Sequence, residues 1–173
     1  MSDTLSDLKQ EFKRLCHRQY EISTKLGWGD TFNYSRTKEA LMAVTLKHRL
    51  ASEYAGADAY KDETDDFPVE YKSTVNKHIK ATYNGIGVHS TWEEQESYLK
   101  NNKIGKYKEH YIARFVGPQI VEMYMLTGEK ILEYILPKIK IQYENRNNNN
   151  QKDPRLGIAL SKNFIISNGT KLI

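Results

Sequence analysis

The residues best able to do chemistry lie in one stretch, Gly56-Ala57-Asp58-Ala59-Tyr60, followed by an acidic run to Asp66 and then Phe67-Pro68-Val69-Glu70-Tyr71-Lys72-Ser73-Thr74. If the two ends are strands of a hairpin, period-two alternation puts Glu70 and Lys72 on one face and Val69, Tyr71 and Ser73 on the other. A partner strand starting at Gly56 brings Asp58 beside them, with Asp62, Glu63, Thr64, Asp65 and Asp66 in the exposed turn. Two carboxylates and a lysine then converge at one edge. Asp58, Glu70 and the backbone carbonyl of Tyr71 are hard oxygen ligands suited to an octahedral Mg²⁺ that keeps several waters and takes a phosphate oxygen. Such an ion lowers the pKa of a bound water and stabilises charge on phosphorus and on the leaving oxygen. Lys72, a compact point charge, orients or deprotonates the attacking water. The chemistry this trio fits is phosphodiester hydrolysis, and the plainer reading is a solvated hairpin with an exposed Glu/Lys pair.

Positioning that edge falls to one domain. The chain has 173 residues with 39% hydrophobic and 28% charged positions, the composition of a soluble globular domain with a core of its own. A single domain of α/β or α+β class is expected across residues 1–173. Leu5, Leu8, Phe12, Leu15, Ile22 and Leu26 fall on one helical stripe, Gln19 fills the gap, and Gly27 closes the helix. That stripe fits either a helix packed on its own domain or a seam facing a second copy with Gln19 setting register. A second helix is expected after Ser35, running to Gly56. Strands are expected in the GADAYKD, FPVEYKST, HYIARFV and QIVEMYML runs, then a helix capped by Thr127 and stopped at Pro137. Ile139, Ile141 and Tyr143 alternate like a strand, and Asn168-Gly169 reads as the turn of a terminal hairpin.

Residues 1–66 hold 10 Lys+Arg against 12 Asp+Glu, and residues 67–173 hold 16 against 10. A net −2 followed by +6 is compatible with an anionic polymer along one face. The single cysteine, Cys16, excludes an internal disulfide and fits a small core hydrophobe. No apolar run is long enough to cross a bilayer, and the N-terminus lacks the basic start and apolar core of a signal peptide, so a cytoplasmic protein with no membrane partner is expected.

The sequence resembles the PD-(D/E)XK nuclease superfamily, with Asp58, Glu70 and Lys72 on the three motif positions. The likeness extends collinearly to the small type II restriction endonucleases through GWGDTF, GADA, VEYKST, HYIARFVGPQIVEMYML, GEKILEYIL and NGTKLI. The resemblance implies a restriction-endonuclease-like core with a mixed central β-sheet flanked by helices, and a homodimer, with residues 1–34 as dimerisation region, 35–126 as catalytic core and 127–173 as helix and recognition strands. It further implies Mg²⁺-dependent cuts in both strands of a short symmetric site in double-stranded DNA, and a cognate DNA methyltransferase that protects the host. Where a resembled enzyme carries a histidine cluster after its lysine, the stretch from Tyr83 to Thr91 of this chain holds one histidine, His89. Asn84, His89 and Ser90 are candidates for contacts to bases or phosphates. Asn149, Asn150 and Lys152 in the asparagine-rich tract are further candidates, since an asparagine can bond bidentately to adenine. Lys106-Tyr107-Lys108 is similar to a segment that carries an active-site tyrosine in a resembled enzyme, the other reading of Tyr107 being a core aromatic; Glu39 is a candidate extra carboxylate from the second helix, its plainer reading a surface helix residue. Two other readings stay open: a repair or structure-specific nuclease on the same core, and a DNA-binding module without catalysis.

Overall fold

A computed structural model describes residues 4–52, 56–145 and 155–173. Asn149, Asn150 and Lys152 therefore lie outside the described residues. The chain is a single mixed α+β domain. Helix α1 (Leu5–Lys25) leads through a turn to α2 (Tyr34–Leu46), then strands β1 (Arg49–Leu50), β2 (Ala59–Tyr60), β3 (Pro68–Thr74) and β4 (Ala81–Ile86). Helix α3 (Trp92–Tyr98) runs into a π-helical turn, Leu99–Lys103, followed by β5 (Glu109–Val116), β6 (Gln119–Thr127) and α4 (Gly128–Asn145). Strand β7 (Leu156–Leu160), α5 (Lys162–Asn168) and β8 (Thr170–Lys171) complete the described fold.

Six strands form one sheet in the order β1-β2-β3-β5-β6-β8. Its one parallel pair is β3 with β5, registering Glu70 with His110 and Lys72 with Ile112. Strands β4 and β7 pair antiparallel in a separate ribbon. Alternation along β3 and β5 sorts side chains between two cores. Val69, Tyr71, Tyr111, Ala113 and Phe115 pack under α2 with Met42 and Ala43. On the opposite face Ile112 packs with Leu126, the β4–β7 ribbon and the α4 row Ile131, Ile135, Ile139 and Tyr143. Glu70 and Lys72 share this second face, where both are half-buried.

Several expectations change. Helix α2 ends at Leu46, because Lys47 adopts a left-handed conformation (φ 58°) and the His48 and Lys47 N–H groups donate back to the Ala43 and Val44 carbonyls. This Schellman ending lacks the glycine that usually announces it. Pro137 does not stop α4 but sits inside it. It lies on the solvent side, as does Glu133, whose carbonyl loses its helical donor to the proline. The buried row on the other side holds the helix across the break, so Ile139 and Tyr143 are helical neighbours and Ile141 is exposed. The Asn168-Gly169 hairpin is instead the end of α5, capped by Ser161. Gly169 is required there by close approach, since a Cβ would lie 2.7 Å from the Ile165 carbonyl oxygen.

Helix α1 follows its expected span and turns at Gly27 (φ 66°), but its stripe is not covered by the chain's own described residues. Leu5 and Phe12 are each 70% exposed. Gln19 faces inward instead, donating to the Thr31 carbonyl (2.9 Å), and Ser23 bonds the Thr31 hydroxyl at 2.6 Å. Among the described residues no helix is long and apolar enough to cross a membrane.

Candidate active site

Asp58 stands where β2 and β3 part. Ala59 is the last β2 residue on that side to register with β3, opposite Val69. The Asp58 N–H still donates to the Val69 carbonyl (3.2 Å), and its Oδ2 then takes the place of the next strand bond by accepting the Tyr71 N–H at 2.6 Å. The N–H and C=O of one strand residue point the same way, so the Tyr71 carbonyl also turns toward Asp58. Glu70 and Lys72, on the neighbouring positions of β3, meet as an ion pair between Lys72 Nζ and Glu70 Oε1. The Lys72 ammonium lies 5.2 Å from the ring centre of Tyr83 on β4.

Asp58, Glu70 and Lys72 open on a cleft of about 420 Å³ that Gly56, Asn84, Tyr98, Asn102, Lys103, Lys106 and Tyr107 also line. Burial, and then the adjacent Glu70 charge, push the Asp58 carboxyl up to about 7, against opposing contributions from the Tyr71 N–H and Lys72. Two carboxylates held close out of water by the backbone are a donor set that a hard divalent cation would relieve. Among the described residues no three His, Cys, Asp or Glu side chains gather into a metal-binding group. The fit therefore rests on Asp58, Glu70 and the Tyr71 carbonyl, hard oxygen donors of the kind Mg²⁺ takes.

Glu39 is brought to the site from behind. A smaller cavity of about 210 Å³ is lined by Ser35, Glu39, Met42, Asp58, Tyr71, Lys72 and Ser73. Arg36, only 1% exposed, organises that side. Its Nε–H donates to the Trp28 carbonyl at 2.9 Å, Nη1 to Glu39 Oε2 at 3.2 Å and Nη2 to the Ala51 carbonyl. The Ala51 N–H in turn donates to the Asp58 carbonyl at 3.0 Å. Tyr107 holds the other flank, its hydroxyl donating to the Gly56 carbonyl at 2.7 Å. Burial raises the Tyr107 phenol, so it stays protonated.

Beside Glu70, on the neighbouring strand β5, His110 is wholly buried. Its Nε2–H donates to the Ile104 carbonyl (3.1 Å), which leaves Nδ1 to accept the Tyr83 hydroxyl at 3.0 Å. Desolvation drives this imidazole down to about 4.

The remaining candidates divide. Asn84 on β4 lines the cleft. His89 and Ser90 do not: the His89 ring packs on Tyr98 with centroids 4.6 Å apart, and both carbonyls accept the Tyr143 hydroxyl. The Ser90 N–H is spent on Glu94 as α3 begins. Asn102, Lys103, Lys106 and Arg36 had no motif to announce them, since a lysine in a polar run reads as solvated and a buried arginine follows only from the tertiary fold. No protein-family model matches this chain, and no curated protein matches its sequence.

Proposed function

We propose that the chain is a Mg²⁺-dependent, sequence-specific DNA endonuclease of restriction type, built on a PD-(D/E)XK core and acting as a homodimer. The observation that carries this reading is the convergence of Asp58, Glu70 and Lys72 on one cleft at the parting of β2 and β3. Asp58, Glu70 and the Tyr71 carbonyl would hold the metal. When bound there, Mg²⁺ supplies an acidified water and charge neutralisation at the phosphate. Lys72 is paired with Glu70. With that carboxylate turned to a cation, the ammonium would be free to orient the attacking water or to donate to a phosphate oxygen, where it would offset growing negative charge. Glu39 supports Asp58 from behind, and Asn84 supplies an amide for base or phosphate contact within the cleft. In-line attack leaves a 5′-phosphate and a 3′-hydroxyl. The apolar stripe of α1 supports a second copy as the dimer partner, because a palindromic site needs two catalytic clefts. Such an activity in the cytoplasm requires a cognate methyltransferase that protects host DNA.

The test is incubation of the protein with long unmethylated phage DNA in Mg²⁺ or EDTA, beside Lys72→Ala. Discrete fragments that require Mg²⁺ and Lys72 are expected. Intact DNA in every lane, with a folded protein, would refute the reading.

A further inference from the structure

The connection from β3 to β5 ends in an element to which the chemistry above assigns no role. After α3 the helix widens into the π-turn Leu99–Lys103, where the Ile104 N–H reaches back to the Leu99 carbonyl at 2.9 Å. π-turns are rare and recur at functional sites, and the extra residue re-aims the chain that follows. This one is fixed on every side. Leu99 and Ile104 are wholly buried. Gly105 is packed so tightly that a Cβ would sit 2.1 Å from the Lys100 carbonyl oxygen. The Ile104 carbonyl accepts both the His110 Nε2–H and the Tyr107 N–H.

What this rigid turn delivers is Asn102 and Lys103, in the lining of the same cleft as Asp58, Glu70 and Lys72, with Lys106 following them there. The cleft thus holds two kinds of group. The Lys72 charge is taken up by Glu70, whereas among the described residues neither Lys103 nor Lys106 forms an ion pair. Carboxylates that suit a cation stand in one cleft with two ammonium groups outside those ion pairs, that of Lys106 lying 5.5 Å from the ring centre of Tyr107, and an amide, which suit an anion. An anionic group seated there answers the charge of the lysines without displacing a carboxylate.

We propose that Asn102, Lys103 and Lys106 form a phosphate-binding subsite, which takes a phosphodiester of the bound strand next to the one that is cut. The inference rests on the nuclease reading and deepens it. A lysine meets phosphate as a point charge from many directions, so this subsite positions the strand and carries no sequence information. Two contacts of this kind release counterions, and each steepens the dependence of affinity on salt.

The test measures binding of wild type to a duplex containing its cleavage site and to a random duplex, in Ca²⁺ in place of Mg²⁺, across 50–300 mM salt. Lys103→Ala, Lys106→Ala and the double variant are compared with Lys130→Ala, outside the cleft, as control. Each single cleft variant should lower the slope of log affinity against log salt by about 1 and weaken binding about fivefold at 0.15 M salt, equally on both duplexes. Lys103→Arg should restore the slope, and Asn102→Ala should weaken binding without changing it. Wild-type binding with unchanged slopes in the lysine variants would overturn the subsite alone. Loss confined to the cleavage-site duplex would also overturn it, by making these residues base readers. A wild type that binds no duplex even at low salt would overturn the nuclease reading with it.

Discussion

Replacing Asp58 with asparagine should stabilise the ligand-free protein while abolishing its proposed metal site. The carboxyl is carried from its ordinary 3.8 to about 7, chiefly by burial and then by Glu70. Between those two values the folded chain holds a proton that the unfolded chain has released, so stability falls as pH rises through the window. A shift of about three units at about 1.4 kcal/mol each puts the cost of an ionised Asp58 near 4 kcal/mol at pH 8. Asparagine has the same shape, keeps an oxygen to accept the Tyr71 N–H and carries no charge. Allowing for relaxation around the ionised carboxylate, the gain should be about 2–4 kcal/mol at pH 8, or roughly 5–15 °C for a domain of this size, and should vanish near pH 4. Calorimetric melts of both proteins in EDTA at pH 4.5, 6 and 8 read the difference directly. Adding Mg²⁺ should then raise the wild-type midpoint and leave that of Asp58→Asn in place, because only the carboxylate gains a cation. An asparagine variant less stable than wild type at pH 8, or a difference that ignores pH, would refute the account of Asp58 as a strained, desolvated ligand.

Three further outcomes are expected. His110 is held neutral down to about 4, whereas the unfolded chain binds that proton near 6.5; stability should therefore drop by up to about 3 kcal/mol as pH falls through that window. His110→Gln, which can keep both hydrogen bonds, should flatten this acid limb in urea melts. Arg36→Met should cost about 3–5 kcal/mol by urea denaturation, as it strands Glu39 and two carbonyls, and lysine should recover only part because it lacks the planar fork. Phe12→Asp, placed on the exposed stripe of α1, should convert a dimer to a monomer in sedimentation velocity; a wild type that sediments as a monomer at tens of micromolar would count against the dimer.

The sequence carried the hairpin and its trio because strand alternation and one turn are local, and the backbone needs only a few residues to bring Asp58 opposite β3. It carried α1 for the same reason, its period being visible without any partner. What it did not carry was set at longer range. Glu39 reaches Asp58 only because β1 and β2 fold back across α2, and Arg36 is buried only because two separated segments offer it carbonyls beside the Glu39 carboxylate of its own helix. Pro137 was misleading because its cost depends on which side of α4 faces water. Asn168-Gly169 was misleading because Ser161 and the buried Ile165 pull the preceding residues into a helix. The pair β4–β7 joins strands some seventy positions apart, and no local pattern announces a ribbon of that kind.

The grip of Arg36 makes α1 and the cleft one mechanical unit rather than two interchangeable parts. One guanidinium takes a carbonyl from the segment that leaves α1, at Trp28, and another from the segment that leads to Asp58, at Ala51. Lengthening the connection between α1 and α2 by even one residue would displace the first acceptor, and the loss would be felt at the carboxylate. Grafting a foreign arm onto this core therefore calls for transplanting the turn through Trp28 as well, and a swap made at Leu26 alone would join two sound pieces into a poorly registered whole.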